Sequence, residues 1–499
     1  MSAFSPIPLG QRIPDSPHAV SCSLPTMRSV RGYEEKNPEI TRHLSSGYPR
    51  FVQHPFLQKL AAHLKQRHQL DGHTLWLVSS ARMANLLAAH LGKVHVIQIE
   101  DSGVHGIAHS ESPELAARAK VFLQNIGGFL SSRAAEDRLV AQRLLPAIAP
   151  EKTFAGDALG EVHRVLSPAF QGVPTADLLV TSCGMSAIDA TFRAITDLQA
   201  PRGRTIWVQL GWLYLDTIAV LKKFTATPAD YVYVSDVFDL TALERLFAEK
   251  GDRIAGLLSE VPTNPLLQTP DVAAISALAR NHGALVVLDP SVSSPFDVDV
   301  LPHADVVVSS LTKYSASEGD LTAGLIVVNP AAPEAPQLRR AIASKVEPLY
   351  SRDLARLAFQ IGQTPAVLAR MHESVPRVVA FLESHPAVKD VFWALHPASR
   401  DNFLRVARTP DAVGGMITFT LRGALENFYD RLTLPKGPSF GMRTTLICPF
   451  MYLAHYDLVT TPAGRAELES GGLDPDLLRL SVGCEPVDEI IAALADALA

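Results

Sequence analysis

Lys313 lies between two apolar segments of the chain, an unusual place for a charged side chain. The segment ADVVVSS before it predicts a buried strand, and LTAGLIVVN after it predicts another. The stretch SSLTKYSASEGD, from Ser309 to Asp320, places the lysine among several hydroxyl side chains. Taken alone, Lys313 is as compatible with a solvated surface cation as with a functional amine. Because α/β proteins bind ligands where strands end, the position makes it a candidate site residue.

Asp289 ends another apolar run, Ala284 to Leu288, earlier in the chain. The simplest interpretation is a turn residue before Pro290. A carboxylate and a lysine at the ends of neighbouring strands can also face one cleft. Pyridoxal phosphate chemistry requires such a pair, an amine to form a Schiff base and an anion to keep the pyridine nitrogen protonated.

Gly184 stands between a predicted strand and a predicted helix. The segment DLLVTS has the character of a strand, and MSAIDATFRAITDL has the spacing of a helix. Backbone N–H groups at the start of such a helix would bind a phosphate dianion. A plain connecting turn is the commoner meaning of a glycine here, so its value lies in its agreement with Lys313 and Asp289.

Three segments together resemble the cystathionine gamma-synthase-like group of pyridoxal-phosphate enzymes of cysteine and methionine metabolism. That group shows Ser-x-Thr-Lys-Tyr around its Schiff-base lysine, Asp-Asn-Thr after a strand and Ser-Gly-Met-x-Ala-Ile at its phosphate turn. The matching residues are Ser310, Leu311, Thr312, Lys313 and Tyr314, then Asp289, Pro290 and Ser291, then Cys183, Gly184, Met185, Ser186, Ala187 and Ile188. The resemblance implies fold type I and pyridoxal 5'-phosphate as the cofactor.

The resemblance also implies which residues surround the cofactor. The segment LGWLYLDT resembles Tyr-Gly-x-Thr, which makes Tyr214 the aromatic that stacks on the cofactor ring and a candidate proton donor to the leaving group. A core aromatic is the alternative. SEVPTNP resembles Glu-Ser-Pro-x-Asn-Pro, so Asn264 is expected to bind the cofactor's phenolic oxygen and Glu260 to be structural. The remaining expected cofactor-binding residues are Gly184, Met185, Asp289, Ser291, Ser310, Thr312 and Lys313.

Two C-terminal segments imply the substrate site. LLRLSVGCEP resembles Arg-x-Ser-Val-Gly-x-Glu, so Arg479 is expected to bind the α-carboxylate. PSFGMR resembles the group's Ser-Leu-Gly, which places Ser439 in the substrate pocket. Pro438 replaces a glutamate common in the group and Ala454 replaces a threonine, so acceptor and leaving group stay open. His455 is expected to be a structural hydrogen-bonding residue.

The N-terminal run SSGYPRFVQHP resembles Tyr-Ser-Arg-x-x-Asn-Pro, in which the tyrosine and the arginine reach the phosphate of a neighbouring subunit. Tyr48 and Arg50 therefore imply a homodimer or homotetramer whose active sites are shared; an ordinary basic turn is the alternative. The long stretch from Tyr48 to Gly184, the GYPRF run and the LAHY run resemble the fungal-type branch of the group. The additional residues, around 75–175, are compatible with a lid, a subunit contact or decoration.

Composition limits the class of protein. The 499 residues suffice for two or three domains, and a net charge of −6 with scattered basic residues argues against nucleic acid as a partner. The four cysteines lack metal-site spacing and indicate no disulfide framework, so we expect no metal and a reducing, cytoplasmic setting. No apolar run approaches the length of a membrane helix.

Helical and strand-like segments alternate from about residue 53, which predicts an α/β fold with a mostly parallel sheet and helices on both faces. We expect three regions. Residues 1–60 form an extended arm that contributes to the neighbouring subunit, 61–352 a large cofactor-binding domain with an insertion around 75–175, and 353–499 a smaller α+β domain.

The expected activity is γ-substitution on O-acetyl- or O-succinyl-homoserine. Lys313 would remove the α-proton, the γ-substituent would leave, and a thiol such as cysteine, or a carbon nucleophile, would add to the β,γ-unsaturated intermediate. A lyase of sulfur amino acids is the first alternative. A catalytically silent interaction protein is the second, and the joint presence of Lys313, Asp289 and Arg479 argues against it.

Overall fold

The N-terminal segment packs onto the C-terminal part of the same chain. The computed structural model describes residues 4–44, 52–92 and 96–499. Within residues 4–44, the described part of the predicted arm, Leu24 and Met27 are fully buried, and the Tyr429 hydroxyl donates to the Leu24 carbonyl oxygen over 3.0 Å. A contact with a neighbouring subunit stays a prediction. The elements are β1 (Arg12–Ile13), β2 (Ser21–Cys22), α1 (Met27–Glu34) and α2 (Pro38–Thr41).

The next part of the chain forms a separate small unit. Its strands make an antiparallel sheet of order β3-β5-β4 rather than joining a parallel sheet, as the alternating pattern predicted. The cause is the two-residue link Ser102-Gly103, which has positive φ at both positions, 52° and 78°, as a tight hairpin turn requires. The elements are α3 (Pro55–Arg67), β3 (His73–Val78), α4 (Ala81–Leu91), β4 (Val96–Asp101), β5 (Val104–Ser110), α5 (Pro113–Ile126) and α6 (Ser132–Ala141).

A seven-stranded sheet forms the centre of the molecule, in the order β6-β12-β11-β10-β9-β7-β8. Only β12 runs antiparallel to its neighbours, and the central strands are buried along their length, so the expected mostly parallel α/β sheet is confirmed. The elements are α7 (Ala158–Leu166), β6 (Leu178–Thr181), α8 (Gly184–Gln199), β7 (Ile206–Leu210), α9 (Leu215–Phe224), β8 (Tyr231–Val234), α10 (Leu240–Lys250), β9 (Ile254–Glu260), α11 (Val272–Asn281), β10 (Leu285–Asp289), β11 (Val306–Ser309), β12 (Gly324–Val328) and α12 (Ala335–Ala343).

The C-terminal part contains a four-stranded antiparallel sheet of order β13-β14-β16-β15 with helices around it. This matches the smaller α+β part of the expected fold. Its elements are α13 (Ser351–Ile361), α14 (Thr364–Ser384), β13 (Val388–Phe392), α15 (Arg400–Val406), β14 (Met416–Leu421), α16 (Leu425–Arg431), β15 (Leu446–Pro449), α17 (Phe450–Ala454), α18 (Tyr456–Val459), α19 (Pro462–Ser470), β16 (Leu478–Ser481) and α20 (Val487–Leu498).

A buried ionic cluster joins the small N-terminal unit to the C-terminal part of the chain. It lies next to the segment from Ser309 to Asp320, which carries Lys313 and is called the lysine loop. Arg133 of α6 donates to Glu151 at 2.7 Å, to Asp353 of α13 at 3.0 Å and to the Asp320 carbonyl oxygen at 2.9 Å. Arg356 donates to the Asp320 carboxylate at 2.8 Å. Since Asp320 closes the segment that carries Lys313, the cluster ties that segment to α6 and α13.

Candidate active site

The predicted chemical groups meet at one edge of the large sheet. Glu260 and Asp289 are the last residues of β9 and β10, and Lys313 follows β11; these strands are parallel, so their ends lie together. They border a cavity with about 890 Å³ of empty space, a volume that includes open solvent at its mouth. The predicted site residues that line it are Gly184, Met185, Tyr214, Asn264, Asp289, Ser291, Ser310, Lys313, Ser439 and Arg479.

The Lys313 amine is held by the C-terminal sheet domain. Its side chain is 7% exposed, and Nζ donates to Ser439 Oγ over 2.9 Å. Nζ also lies over the Phe440 ring, 4.6 Å from its centroid. Ser439 has a φ of 85°, a conformation that costs energy in a non-glycine residue and is often retained at functional sites.

Asp289 is a buried carboxylate stabilised by the turn that follows it. Its Oδ1 accepts from the Ser291 backbone N–H at 2.8 Å and from the Ser291 hydroxyl at 2.5 Å. Ser291 Oγ in turn accepts from the Ser310 backbone N–H at 2.7 Å, which couples the two strand ends. Burial raises the pKa of Asp289 from an ordinary 3.8 to about 6, although the bonds from Ser291 act against the rise.

Glu260 is a second buried carboxyl beside the first, because it pairs with Asp289 across β9 and β10. Its Oε1 accepts from the Tyr214 backbone N–H at 2.6 Å, while Oε2 has no hydrogen-bond partner among the described residues. Burial first, and the charge of Asp289 second, raise the Glu260 pKa well above its usual range. Glu260 therefore binds a proton more tightly than an ordinary carboxyl, and its bond to the backbone positions Tyr214 at the cavity.

The start of α8 is shaped for an anion. The helix begins at Gly184, and its N-cap residue, Cys183, makes no side-chain capping bond. The backbone N–H groups of the first turn therefore keep their partial positive charge. A Cβ placed on Gly184 would lie 2.9 Å from the Ser310 Cβ, so only glycine lets the lysine loop approach this closely. Met185, the next residue, lines the same cavity.

Arg479 of β16 also borders the cavity. Its Nη1 donates to Asn264 Oδ1 and its Nη2 to the Ser439 carbonyl oxygen, each over 3.3 Å. The Phe450 and Phe440 ring centroids lie 4.5 Å and 5.2 Å from its Cζ. The guanidinium is thus fixed in a largely buried position by long hydrogen bonds that a stronger acceptor could replace.

One predicted cofactor residue, Thr312, does not line the cavity. Thr312 bonds instead to Ala323, since its hydroxyl oxygen accepts from the Ala323 N–H at 3.0 Å and donates to the carbonyl oxygen at 3.3 Å. It shapes the lysine loop from outside the lining. Tyr48 and Arg50 lie outside the described residues.

One wall of the cavity is apolar, and sequence reasoning did not identify it. We call the apolar lining residues that residues 438–454 contribute the apolar wall: Phe440, Phe450, Leu453, Ala454 and Pro438. The available signal was Phe440, which occupies the leucine position of the Ser-Leu-Gly pattern. A lone aromatic residue in a loop indicates nothing by itself, and Phe450 begins a helix that the sequence did not suggest.

His455 lies behind this wall and has the structural role expected. The Trp212 indole N–H donates to His455 Nε2 over 3.1 Å. Burial lowers the His455 pKa to about 4, so the imidazole is neutral and accepts this bond.

Pyridoxal phosphate fits these residues. Lys313 provides the amine and Asp289 a buried anion that a protonated pyridine nitrogen would stabilise. The uncapped start of α8 would hold the phosphate, and a Cβ at Gly184 would collide there with Ser310. No cluster of three metal-binding side chains exists within the described part of the chain.

Comparison with known families agrees. Residues 170–499 match the family model described as Cys/Met metabolism PLP-dependent enzyme. The chain belongs to this family. Its cofactor is therefore pyridoxal 5'-phosphate, and the expected resemblance to cystathionine gamma-synthase-like enzymes is confirmed.

Individual relatives cover the whole chain. An L-2-amino-4-chloropent-4-enoate dechlorinase/desaturase of Streptantibioticus cattleyicolor is 39% identical over 497 residues, 100% of this chain and 99% of the relative. The cystathionine gamma-synthase of Neurospora crassa is 26% identical and covers 99% of this chain and 98% of its own. A solved cystathionine gamma synthase of Xanthomonas oryzae pv. oryzae, 23% identical over 70% of this chain and 91% of its own, superposes with a TM-score of 0.57 and supports the fold.

Proposed function

We propose that this enzyme removes a leaving group from the γ-carbon of an L-amino acid, with Lys313 as the base. The observation that carries the proposal is the placement of Lys313 and Arg479 on one cavity beside an apolar wall. Arg479 would bind the α-carboxylate, and the α-carbon would then lie within reach of the Lys313 amine.

The cofactor supplies an aldehyde that condenses with amines and a ring that accepts the electron pair left when a C–H bond breaks. Asp289 would keep the pyridine nitrogen protonated, and the start of α8 would hold the phosphate. Lys313 Nζ takes the α-proton, and Ser439 Oγ orients this amine. Tyr214, positioned through Glu260, borders the cavity as a proton donor to the departing group.

The substrate class that we favour is an amino acid with a halogenated, unsaturated side chain. The relative that is 39% identical along the full chain is named for 2-amino-4-chloropent-4-enoate, and the apolar wall suits such a side chain. The net reaction is loss of HCl. The C–Cl bond breaks, chloride leaves with the bonding pair, one carbon-bound hydrogen leaves as a proton, and the product gains one unsaturation.

Replacement on O-acetyl- or O-succinyl-homoserine by a thiol is the second candidate. The full-length similarity to the Neurospora crassa cystathionine gamma-synthase favours it. Both reactions need the same α-proton removal and γ-departure, and they differ in whether a nucleophile then adds. A sulfur-amino-acid lyase would instead release a keto acid.

The test begins with borohydride reduction of the purified holoenzyme and peptide mass spectrometry. A phosphopyridoxyl label on Lys313, absent from Lys313→Arg, is the expected result. L-2-amino-4-chloropent-4-enoate and O-acetyl-L-homoserine are then compared, each with and without cysteine, by chloride, acetate and product analysis. Release of neither chloride nor acetate would refute γ-chemistry, and a cysteine-containing product as the main one would favour replacement.

We further propose a homodimer or homotetramer and a cytoplasmic setting. The first follows from the resemblance at Tyr48 and Arg50, and the second from four cysteines that form no disulfide. Within the described ranges, no helix is both long enough and apolar enough to cross a bilayer. Light scattering at several protein concentrations measures the assembly.

A further inference from the structure

Phe440 contacts both cationic side chains of the site. Its ring centroid lies 4.6 Å from Lys313 Nζ and 5.2 Å from Arg479 Cζ. An edge contact with Tyr314, at 6.1 Å between ring centroids, holds the ring in place. Such contacts stabilise both cations and fix their separation.

The position of this ring places it against a bound substrate. Under the proposed function, on which this inference rests, the α-carboxylate binds Arg479 and the α-carbon faces Lys313. Because the Phe440 ring contacts both Lys313 and Arg479, it must lie beside the substrate atoms that these two residues bind. Phe450, 4.5 Å from Arg479 Cζ, extends the same apolar surface.

The charges of the cavity restrict what else can bind. Among the described residues of the lining, Lys313 and Arg479 are the only cationic side chains. Once Arg479 holds one carboxylate, a second amino acid such as cysteine finds no further cation for its own among these described lining residues. Burying an unpaired carboxylate against Phe440 and Phe450 is costly.

We infer that Phe440, with Phe450, is a specificity-determining residue that selects substrates with an uncharged, apolar γ-substituent and disfavours polar ones. The two rings select by apolar contact with the substrate side chain. A polar γ-substituent placed there would lose its hydrating water without gaining a hydrogen-bond partner.

The test changes the polarity of the ring while keeping a flat side chain. Dissociation constants of L-norvaline and L-homoserine, which lack a good γ-leaving group, are measured from the absorbance of the holoenzyme. We expect Phe440→His to reduce the preference for norvaline about tenfold, and Phe440→Leu, which stays apolar, to reduce it less than about threefold. Phe359→His is the matched control, because Phe359 also faces an arginine, 5.4 Å from Arg356 Cζ, but lies outside the cavity lining.

An unchanged preference in Phe440→His would overturn the inference. If that variant does not take up the cofactor, Phe450→His is measured in the same way with the same expectation. The ratio of kcat/KM for L-2-amino-4-chloropent-4-enoate over O-acetyl-L-homoserine should fall in parallel. If the wild type turns over neither substrate, the proposed function fails, whereas the two dissociation constants still decide the role of Phe440.

Discussion

At the scale of single residues, Arg479 tests whether the site binds an α-carboxylate. Two of its nitrogens are held by Asn264 and Ser439, so the guanidinium presents a fixed, planar pair of donors. Arg479→Lys keeps the positive charge but loses the planar pair of hydrogen-bond donors. We expect the dissociation constant of L-norvaline to rise about 30-fold, or about 2 kcal/mol.

The control for Arg479→Lys is Arg28→Lys, at a side chain that is 79% exposed and does not line the cavity. Its norvaline affinity should equal that of the wild type. Equal affinity in Arg479→Lys would show that the carboxylate binds elsewhere.

Asp289 gives a prediction on pH. Its pKa is about 6 in the folded chain and 3.8 ordinarily, so the folded state binds the proton more tightly. The stability that protonation provides is therefore complete below about pH 3.8 and is lost as pH rises through 6. In cofactor-free protein, the gain in unfolding free energy of Asp289→Asn over the wild type should grow by about 2 kcal/mol from pH 4.5 to 7.5.

Chemical denaturation at the two pH values measures this difference. Asp411→Asn, at an exposed carboxylate, is the control and should show no such growth. With pyridoxal phosphate bound, the effect should shrink because the protonated pyridine stabilises the carboxylate. A pH-independent difference in the cofactor-free protein would mean that Asp289 is not the group that titrates.

At the scale of elements, the start of α8 depends on the absence of a side chain. A Cβ at Gly184 would press on Ser310 at 2.9 Å and move the lysine loop away from the helix. We expect Gly184→Ala to weaken pyridoxal phosphate binding at least about tenfold, as measured by reconstitution of the cofactor-free protein. Gly362→Ala is the control, since no atom lies within 4 Å of that Cβ, and its affinity should not change.

The elements also show which sequence signals were sufficient. Buried apolar strands indicated Asp289, at the end of β10, and Lys313, in the loop after β11, and the structure brings both to one cavity because parallel strands end at the same edge. The β4–β5 hairpin was not predicted because VHGIAHS lacks a clear alternation of apolar and polar residues. The short turn between β4 and β5 makes these two strands antiparallel. Thr312 matched the family pattern but serves the loop backbone, which a motif alone does not reveal.

At the scale of the whole molecule, the cavity belongs to two layers of the fold. The large sheet supplies Lys313, Asp289 and the start of α8, while the C-terminal sheet domain supplies Arg479 and Phe440. The motifs predicted the residues of each part separately. The apolar wall could not be predicted in this way, since it arises only where a loop and a helix start from distant positions converge.

A ligand that binds the folded chain and not the unfolded one stabilises the fold, so removal of the cofactor should lower the unfolding midpoint of the protein. At a free concentration of 100 times Kd, the stabilisation is about 2.7 kcal/mol. Pyridoxal, which lacks the phosphate, should stabilise less because the start of α8 stays without its anion, and Lys313→Ala should respond less to pyridoxal phosphate. Thermal unfolding midpoints measured with each ligand rank the stabilisation by pyridoxal phosphate and by pyridoxal. Equal stabilisation by pyridoxal and its phosphate would exclude the start of α8 as the phosphate site.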